Sequence, residues 1–334
     1  MKSPINVGVV GLGRLGRLYA SYFTNRLPGA RLYGVTDVAP EAVKATVAAT
    51  GAKGFATTAD LLADKAVDAI VVMTPTKLHG EIVLAAAAAG KAIFCEKPLA
   101  LEISEGEAMK AAVAKHGVFF QLGFMRRFDR AYAAAKQRID AGEIGTPVIF
   151  KSTSKDQLPP PVEYLRPASS GGLFIDMGIH DFDLARWYMG EVKEIFSVGN
   201  SVAFPEISEV GDVENGLSTL TFSNGGIGTI SLSRIGIYGY GIHTEIVGTK
   251  GTIQIGYDRE TAILVMTKGQ IAHDTVPGFY ERFEQAYISQ LQNFVDNLLH
   301  DRPPPIVCDD GLKAQRIAIA ATRSLHSGRA EAVI

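Results

Sequence analysis

The sequence predicts a two-domain α/β protein, with a parallel sheet in the first domain and a large, mostly antiparallel sheet in an α+β second domain. Up to about residue 125, short apolar runs alternate with helix-like segments, which is typical of parallel βαβ units. From about residue 148, β-rich segments follow one another through glycine-containing turns. With 334 residues the chain exceeds one ordinary core, so we expect domains at 1–125 and 126–334.

The first domain contains five apolar runs that predict buried strands. Helix-like, alanine-rich segments separate them, and Pro40 and Ser104 are suited to helix starts. The predicted strands are INVGVV (5–10), ARLYGVT (30–36), VDAIVVM (67–73), KAIFC (91–95) and GVFFQLG (117–123).

The second domain is predicted to be built from hairpins. The turn "SNGG" separates LSTLTF from IGTISLS, and "TKGT" separates HTEIVG from IQIG; the glycine and asparagine residues favour tight turns between antiparallel strands. A further strand is expected within TAILVMTKGQIAHDTV (261–276), and two long helices over 281–300 and 309–328.

Composition argues for a small ligand. The formal net charge is -2, which gives no electrostatic reason to expect nucleic acid or an anionic membrane as a partner. The two cysteines, Cys95 and Cys308, suggest neither a disulfide framework nor a metal cluster. Because the N-terminus also lacks the pattern of a signal peptide, we expect a cytoplasmic protein.

The stretch NVGVVGLGRLG places a GxGxxG motif directly after the first strand. Gly11 allows the tight turn, Gly13 lets backbone approach a pyrophosphate, and Gly16 permits close packing of helix on strand. Asp37 ends the second strand, where it can accept bonds from ribose hydroxyls and repel a 2′-phosphate. This context predicts a Rossmann domain that binds NAD in preference to NADP. The predicted loop contacts are Gly11, Leu12, Gly13, Arg14, Leu15 and Gly16.

Two further stretches carry candidate chemistry. In AIFCEKPLAL, Lys97 follows a predicted parallel strand, whose carboxyl end faces the ligand crevice in such sheets. In SSGGLFIDMGIHDFDLARWYMG, Asp176 and His180 are four residues apart and would share a face if the segment is helical. Position alone leaves open that Lys97 is a solvated surface lysine and that His180 is a hydrogen-bonded core histidine.

Taken together, the motifs resemble those of the glucose-fructose oxidoreductase and inositol dehydrogenase family. The segments that carry the resemblance are GLGRLG, TPTKLH (74–79), CEKPLAL, GFMRRFD (123–129) and GGLFIDMGIHDFDLARW (171–187). The resemblance implies a catalytic triad of Lys97, Asp176 and His180, and a homotetramer assembled through the second-domain sheets. It also implies that the nicotinamide half of NAD is bordered by Thr74, Pro75, His79, Glu96 and Lys97.

The implied roles agree with the chemistry of alcohol oxidation. His180 is suited to act as the base, Lys97 to stabilise developing alkoxide charge, and Asp176 to orient the substrate hydroxyl and the imidazole. Weaker candidates for binding a polyhydroxylated ring are Arg126, Arg127, Asp156, Tyr238, Tyr240 and Tyr280.

We therefore expect an NAD-dependent dehydrogenase that oxidises a ring hydroxyl of myo- or scyllo-inositol to the inosose. A pyranose sugar is an alternative substrate, because it also presents equatorial secondary hydroxyls. A nucleotide-binding regulator without turnover is a third reading, although a regulator needs no base. A metal-dependent enzyme is disfavoured by the absence of recognisable ligand spacing.

Overall fold

The computed structural model describes residues 3–256, 259–261 and 263–334, and they form two compact units. The first comprises the chain up to Met125 together with Tyr287–Leu312, and the second comprises Arg126–Ala286 and Lys313–Ile334. This differs from the expected contiguous second domain over 126–334. The segment 287–312 packs with the first unit because Phe294 stacks edge-on against Phe94 and Phe119.

The first unit contains a six-stranded sheet in the order β3-β2-β1-β4-β5-β6. All of its strand pairs are parallel. The chain order reverses between β1 and β4, and ligands of such sheets bind at the carboxyl ends of the strands at this point. The strands are β1 Ile5–Val10, β2 Ala30–Thr36, β3 Lys53–Gly54, β4 Ala69–Val72, β5 Ala92–Glu96 and β6 Phe120–Gly123.

Five helices connect these strands. The second begins with Pro40 in its first turn and ends at Gly51, which has a left-handed φ of 73°. The fifth ends in the same way at Gly117. The helices are α1 Arg14–Asn25, α2 Pro40–Thr50, α3 Thr58–Ala63, α4 His79–Ala88 and α5 Ile103–His116.

The second unit contains a seven-stranded sheet in the order β12-β11-β7-β10-β9-β8-β15. Only the β7 and β10 pair is parallel among its described strands, so the prediction of a mostly antiparallel sheet is confirmed. Both predicted hairpins are present, as β9 with β10 and as β11 with β12. The strands are β7 Pro147–Lys155, β8 Val192–Asn200, β9 Asn215–Phe222, β10 Ile227–Ser233, β11 Gly241–Gly248, β12 Thr252–Ile255 and β15 Glu331–Ala332.

A separate two-stranded ribbon, β13 Val265–Thr267 with β14 Gln270–Ala272, occupies part of the strand predicted over 261–276. Residue 262 of that prediction lies outside the described residues. The ribbon is short because the Lys268–Gly269 turn reverses the chain after three residues.

Eight α-helices follow β6 in the described residues, and the two predicted long C-terminal helices are confirmed. Three short helices between Val162 and Asp176 occupy a region that the sequence did not predict as helical. The helices are α6 Arg130–Asp140, α7 Val162–Leu165, α8 Pro167–Ser170, α9 Leu173–Asp176, α10 Ile179–Met189, α11 Glu206–Glu209, α12 Phe279–Leu299 and α13 Cys308–Ser327.

Candidate active site

The glycine loop between β1 and α1 has the geometry of a phosphate cradle. Gly11 adopts a φ of +96°, and a methyl group on it would lie 2.8 Å from the backbone of Met73 and Thr74. A methyl group on Gly16 would overlap the Gly11 carbonyl oxygen. A methyl group on Gly13 would instead meet no described atom within 4 Å outside its chain neighbours. Gly11 and Gly16 are therefore required by packing, whereas Gly13 borders open space.

The start of α1 supplies donors beside that space. Gly13 is the N-cap residue of α1 and has no side chain to cap the helix; backbone N–H groups at a helix start are donors suited to an anion. Arg14 and Leu15 form the first turn, as expected for loop contacts.

Asp37 lies beside the same loop. Its Oδ2 accepts from the backbone N–H of Leu12 at 2.5 Å, and its Oδ1 accepts from that of Ala39 at 2.8 Å. These bonds hold the carboxylate at the end of β2 and leave lone pairs on both oxygens for ribose hydroxyls. The loop and Asp37 together fit a dinucleotide.

His79 braces the loops that follow β4 and β5. The ring is buried, with Nε2 3.0 Å from the Thr74 carbonyl and Nδ1 3.0 Å from the Pro98 carbonyl. Burial lowers the pKa of His79, so the neutral ring donates to only one of the two carbonyls. The Thr74 hydroxyl is buried and has no hydrogen-bond partner among the described residues. Thr74 therefore has an unsatisfied hydroxyl group within the described structure, and Pro75 is the next residue in the chain.

Glu96, the last residue of β5, is a buried support for Lys97. Its Oε1 accepts from the Tyr19 hydroxyl at 2.5 Å and from Gln290 Nε2 at 3.2 Å, and its Oε2 accepts from the Lys97 backbone N–H at 3.1 Å. Burial raises the pKa of Glu96. A methyl group on Gly123 would lie 2.8 Å from Glu96 Oε1, so this glycine leaves room for the carboxyl group. The cluster fixes the backbone from which the half-buried Lys97 projects.

Asp176 and His180 lie on two successive helices rather than on one. Asp176 ends α9, Met177 and Gly178 follow with helical φ and ψ, and His180 stands in the first turn of α10. The Tyr164 hydroxyl donates to Asp176 Oδ1 at 2.9 Å, and Arg234 Nη2 lies 3.4 Å from Asp176 Oδ2. Neither Tyr164 nor Arg234 was predicted from the sequence.

Arg126 and Arg127, expected to bind substrate, form ion pairs with α10. Arg126 Nη1 donates to Asp181 at 3.0 Å and to Ser154 Oγ at 3.1 Å, and Arg126 is 2% exposed. Arg127 makes a bidentate pair with Asp183, with Nε and Nη2 at 2.9 and 2.5 Å from its two oxygens. Buried charges require such partners. Through these bonds both guanidinium groups fix the position of α10. Substrate contact by either arginine stays a prediction.

The remaining candidates line different surroundings. Tyr238 and Tyr240 border a cavity of 480 Å³ that also contacts His243, His273 and Arg282.

Tyr238 is half-exposed, whereas burial raises the pKa of Tyr240. Tyr280 stacks on Phe279, with the ring centroids 4.1 Å apart. Asp156 directly follows β7, and its backbone N–H donates to the Ser233 carbonyl at 2.9 Å. No described contact assigns a substrate role to any of these residues.

In the described part of the chain, no group of three or more His, Cys, Asp or Glu side chains could hold a metal ion. Within the same residues, every helix is too short or too polar to cross a bilayer.

Two family models together match most of the chain. The model described as "Oxidoreductase family, NAD-binding Rossmann fold" matches residues 5–124, and the one described as "Oxidoreductase family, C-terminal alpha/beta domain" matches residues 136–333. The chain belongs to the glucose-fructose oxidoreductase and inositol dehydrogenase family. The cofactor of this oxidoreductase is NAD, which the open space at Gly13 and the position of Asp37 fit.

Several relatives are similar over their whole length. A scyllo-inositol 2-dehydrogenase (NAD(+)) from Bacillus subtilis is 37% identical, with 98% of this chain and 96% of the relative covered. A myo-inositol 2-dehydrogenase from Thermotoga maritima is also 37% identical, with 97% of each chain covered. The crystal structure of a scyllo-inositol dehydrogenase from Lactobacillus casei with bound NAD(H) and scyllo-inositol matches with a TM-score of 0.95 and 33% identity, over 99% of each chain.

Proposed function

We propose that this enzyme oxidises a secondary ring hydroxyl of an inositol, myo or scyllo, to the inosose. The observation that carries the proposal is the similarity over nearly the whole chain to dehydrogenases named for these two substrates. The Lactobacillus casei structures with NAD(H) and scyllo- or myo-inositol support the same substrate class.

The proposed chemistry separates hydride and proton transfer. NAD, when bound, accepts the hydride at nicotinamide C4. His180 removes the hydroxyl proton, which requires a base that is neutral near pH 7. Lys97 donates a hydrogen bond to the same oxygen and stabilises its developing negative charge, while Asp176 accepts from a substrate hydroxyl and orients the imidazole.

The support for Lys97 and Asp176 lies in their local anchoring. The Lys97 backbone is tied to the buried Glu96 carboxyl group, so the lysine begins from a fixed main chain. Asp176 is held by donors at both of its oxygens. Because its carboxylate is held in this way, Asp176 loses little entropy when the substrate binds.

A substrate screen tests the proposal. Purified enzyme is incubated with NAD and a panel of inositol isomers and hexoses, and NADH formation is followed in the near ultraviolet. We expect the highest kcat/KM with myo- or scyllo-inositol. A clear preference for a pyranose would move the assignment to a sugar dehydrogenase. Tight NAD binding without turnover on any polyol would contradict an enzymatic role and favour a regulator.

We also propose a homotetramer that uses the seven-stranded sheet. Phe196, Val198, Leu217 and Ile227 are 37–56% exposed, and the strand register places all four on one face of β8, β9 and β10. Threonines such as Thr219 and Thr221 lie between them on that face, and exposed apolar side chains grouped on one face are typical of subunit interfaces. Sedimentation at micromolar concentration should give a tetramer, and a monomer would contradict the proposal.

A cytoplasmic location and a role in inositol catabolism stay predictions. Cys95 and Cys308 are both buried free thiols, which agrees with a reducing compartment. Fractionation of cells that express the protein, and growth of a deletion strain on inositol as carbon source, would test the two predictions separately.

A further inference from the structure

Arg234 is a buried cation next to Asp176, and packing alone does not account for the charge of this arginine. It follows β10 and is fully buried, with Nη2 3.4 Å from Asp176 Oδ2 and 3.7 Å from Asp212 Oδ2. Its Nε and Nη1 have no hydrogen-bond partner among the described residues. Burying such a charge is expensive, and apolar side chains of similar volume often serve stability as well or better. A buried guanidinium with two nitrogens that lack hydrogen-bond partners in the described part of the chain therefore points to a role beyond packing.

Asp212 forms a 3.7 Å ion pair with Arg234 through Oδ2, which has no hydrogen-bond partner among the described residues, and it also binds the helix that carries Asp176. Its Oδ1 accepts from the backbone N–H of Leu173, the first residue of α9, at 2.9 Å. Gly172, with a φ of +80°, allows this approach, because a methyl group there would lie 3.0 Å from the same oxygen. Arg234 therefore lies between two carboxylates: Asp212, which binds the first residue of α9, and Asp176, which is the last residue of α9.

Tyr164 is a further donor to the Asp176 carboxylate. Its hydroxyl donates to Oδ1 at 2.9 Å. Tyr164 is half-exposed, and partial desolvation together with the negative charge of Asp176 raises the pKa of its phenol, which therefore acts as a donor. Tyr164 and Arg234 thus give each oxygen of Asp176 a donor from the protein.

We propose that Arg234 is a positioning residue for the reaction: it holds the Asp176 carboxylate in the orientation that accepts a substrate hydroxyl, and Asp212 holds Arg234 in place. This inference rests on the proposed function for the role of Asp176. Arg234 itself acts through Asp176 and makes no contact with substrate. Its backbone is fixed to the sheet, since its N–H donates to the Glu214 carbonyl at 3.0 Å.

The first test compares Arg234→Met with Arg186→Met. Arg186 is the matched control, because it also pairs with a carboxylate in the second unit, Glu191 at 2.8 Å, but lies outside the proposed site. We expect Arg234→Met to lower kcat by about tenfold to a hundredfold, the usual effect of a misplaced catalytic group, with an unchanged Kd for NADH by fluorescence titration. Arg186→Met should keep kcat even if it lowers the melting temperature.

Conservative variants keep the test decisive if Arg234→Met does not fold. Arg234→Lys retains the charge but loses the planar fork, so we expect a smaller loss of kcat. Asp212→Asn removes the second anchor and should lower kcat more than it raises the KM for the polyol. The proposal is overturned if Asp212→Asn and a folded Arg234 variant both keep kcat within about twofold of the wild type.

A readout independent of turnover separates this inference from the proposed function. Crystal structures of the wild type and of Arg234→Met, or of Asp212→Asn if Arg234→Met does not fold, should show a changed orientation of the Asp176 carboxylate in the variant, with the α9 backbone unchanged. An unmoved carboxylate would contradict the positioning role. Absence of polyol oxidation by the wild type would contradict the proposed function, and the carboxylate position would still decide the role of Arg234.

Discussion

Replacing Gly13 by alanine should weaken NAD binding without destabilising the fold. Gly13 has a φ of -61°, which alanine adopts freely, and its added methyl group would meet no described atom within 4 Å outside its chain neighbours. Glycine-to-alanine changes at compatible positions stabilise proteins by about 0.4–1 kcal/mol. The methyl group would nevertheless enter the space that a pyrophosphate approaches, and we expect the Kd for NAD to rise by about tenfold or more, roughly 1.4 kcal/mol.

Gly16→Ala is the matched control for this prediction. Its methyl group would overlap the Gly11 carbonyl oxygen, so the helix or the loop must shift, and overpacking of this kind costs about 1–3 kcal/mol. Thermal unfolding followed by circular dichroism, together with NADH fluorescence titration, distinguishes the two variants. Gly13→Ala should lose only affinity, whereas Gly16→Ala should lose both affinity and melting temperature. Wild-type NAD affinity in a well-folded Gly13→Ala variant would refute the placement of the pyrophosphate.

Three further changes test the base, the cofactor preference and an ion pair. His180→Ala should lower turnover by about two to four orders of magnitude and leave the Kd for NAD unchanged; near-normal turnover in steady-state assays would make His180 a structural residue. Asp37→Ser with Val38→Arg should erode or reverse the preference for NAD, because it removes a repulsion and adds a phosphate partner; an unaltered enzyme that uses NADP equally well would show Asp37 to be misplaced. The bonds that Glu191 accepts from Arg186 lower the pKa of Glu191 from 4.5 to about 2. The ionised Glu191 therefore contributes fully to the free energy of unfolding above about pH 4.5, and this contribution is lost as the pH falls towards 2. Glu191→Gln should lower the melting temperature at neutral pH and reduce its decline between these pH values, and an unchanged melting-temperature profile would count against the ion pair.

The parts of the fold that the sequence predicts well are those with strong local signals. Buried parallel strands produce continuous apolar runs, and the run from Ile5 to Val10 matches β1 residue for residue. The two-residue strand Lys53–Gly54 has no such run, because both of its residues are exposed at the sheet edge. The return of 287–312 to the first unit depends on packing between distant aromatic residues, which an amphipathic helix pattern does not specify.

The same distinction applies to the candidate site. The positions of Gly11, Gly13, Gly16 and Asp37 beside the ends of β1 and β2 are predictable, because the motif is defined by its spacing relative to a strand; their role in binding NAD stays a prediction.

Other supports were missed because their partners are remote in sequence. Glu96 meets Tyr19 and Gln290 across 77 and 194 residues, and Asp176 meets Arg234 across 58. Tyr164 was missed for a different reason. It is only 12 residues from Asp176, but it lies after the three prolines at 159–161, which gave no helical pattern.

In the HDFD sequence, His180 is the proposed base, and the two aspartates hold the helix through ion pairs. His180 is followed by Asp181 and Asp183, whose carboxylates bind Arg126 and Arg127. Ser152 and Ser154 of β7 also donate to Asp181, so the first turn of α10 is tied to the sheet on the side of Asp181. Because removing one partner of a buried ion pair leaves an uncompensated charge, these pairs strongly oppose local rearrangement even where their net contribution to stability is small. The acidic residues next to His180 therefore fix the helix from which the imidazole projects, and the arginines of GFMRRFD are needed for that geometry whether or not they touch a substrate.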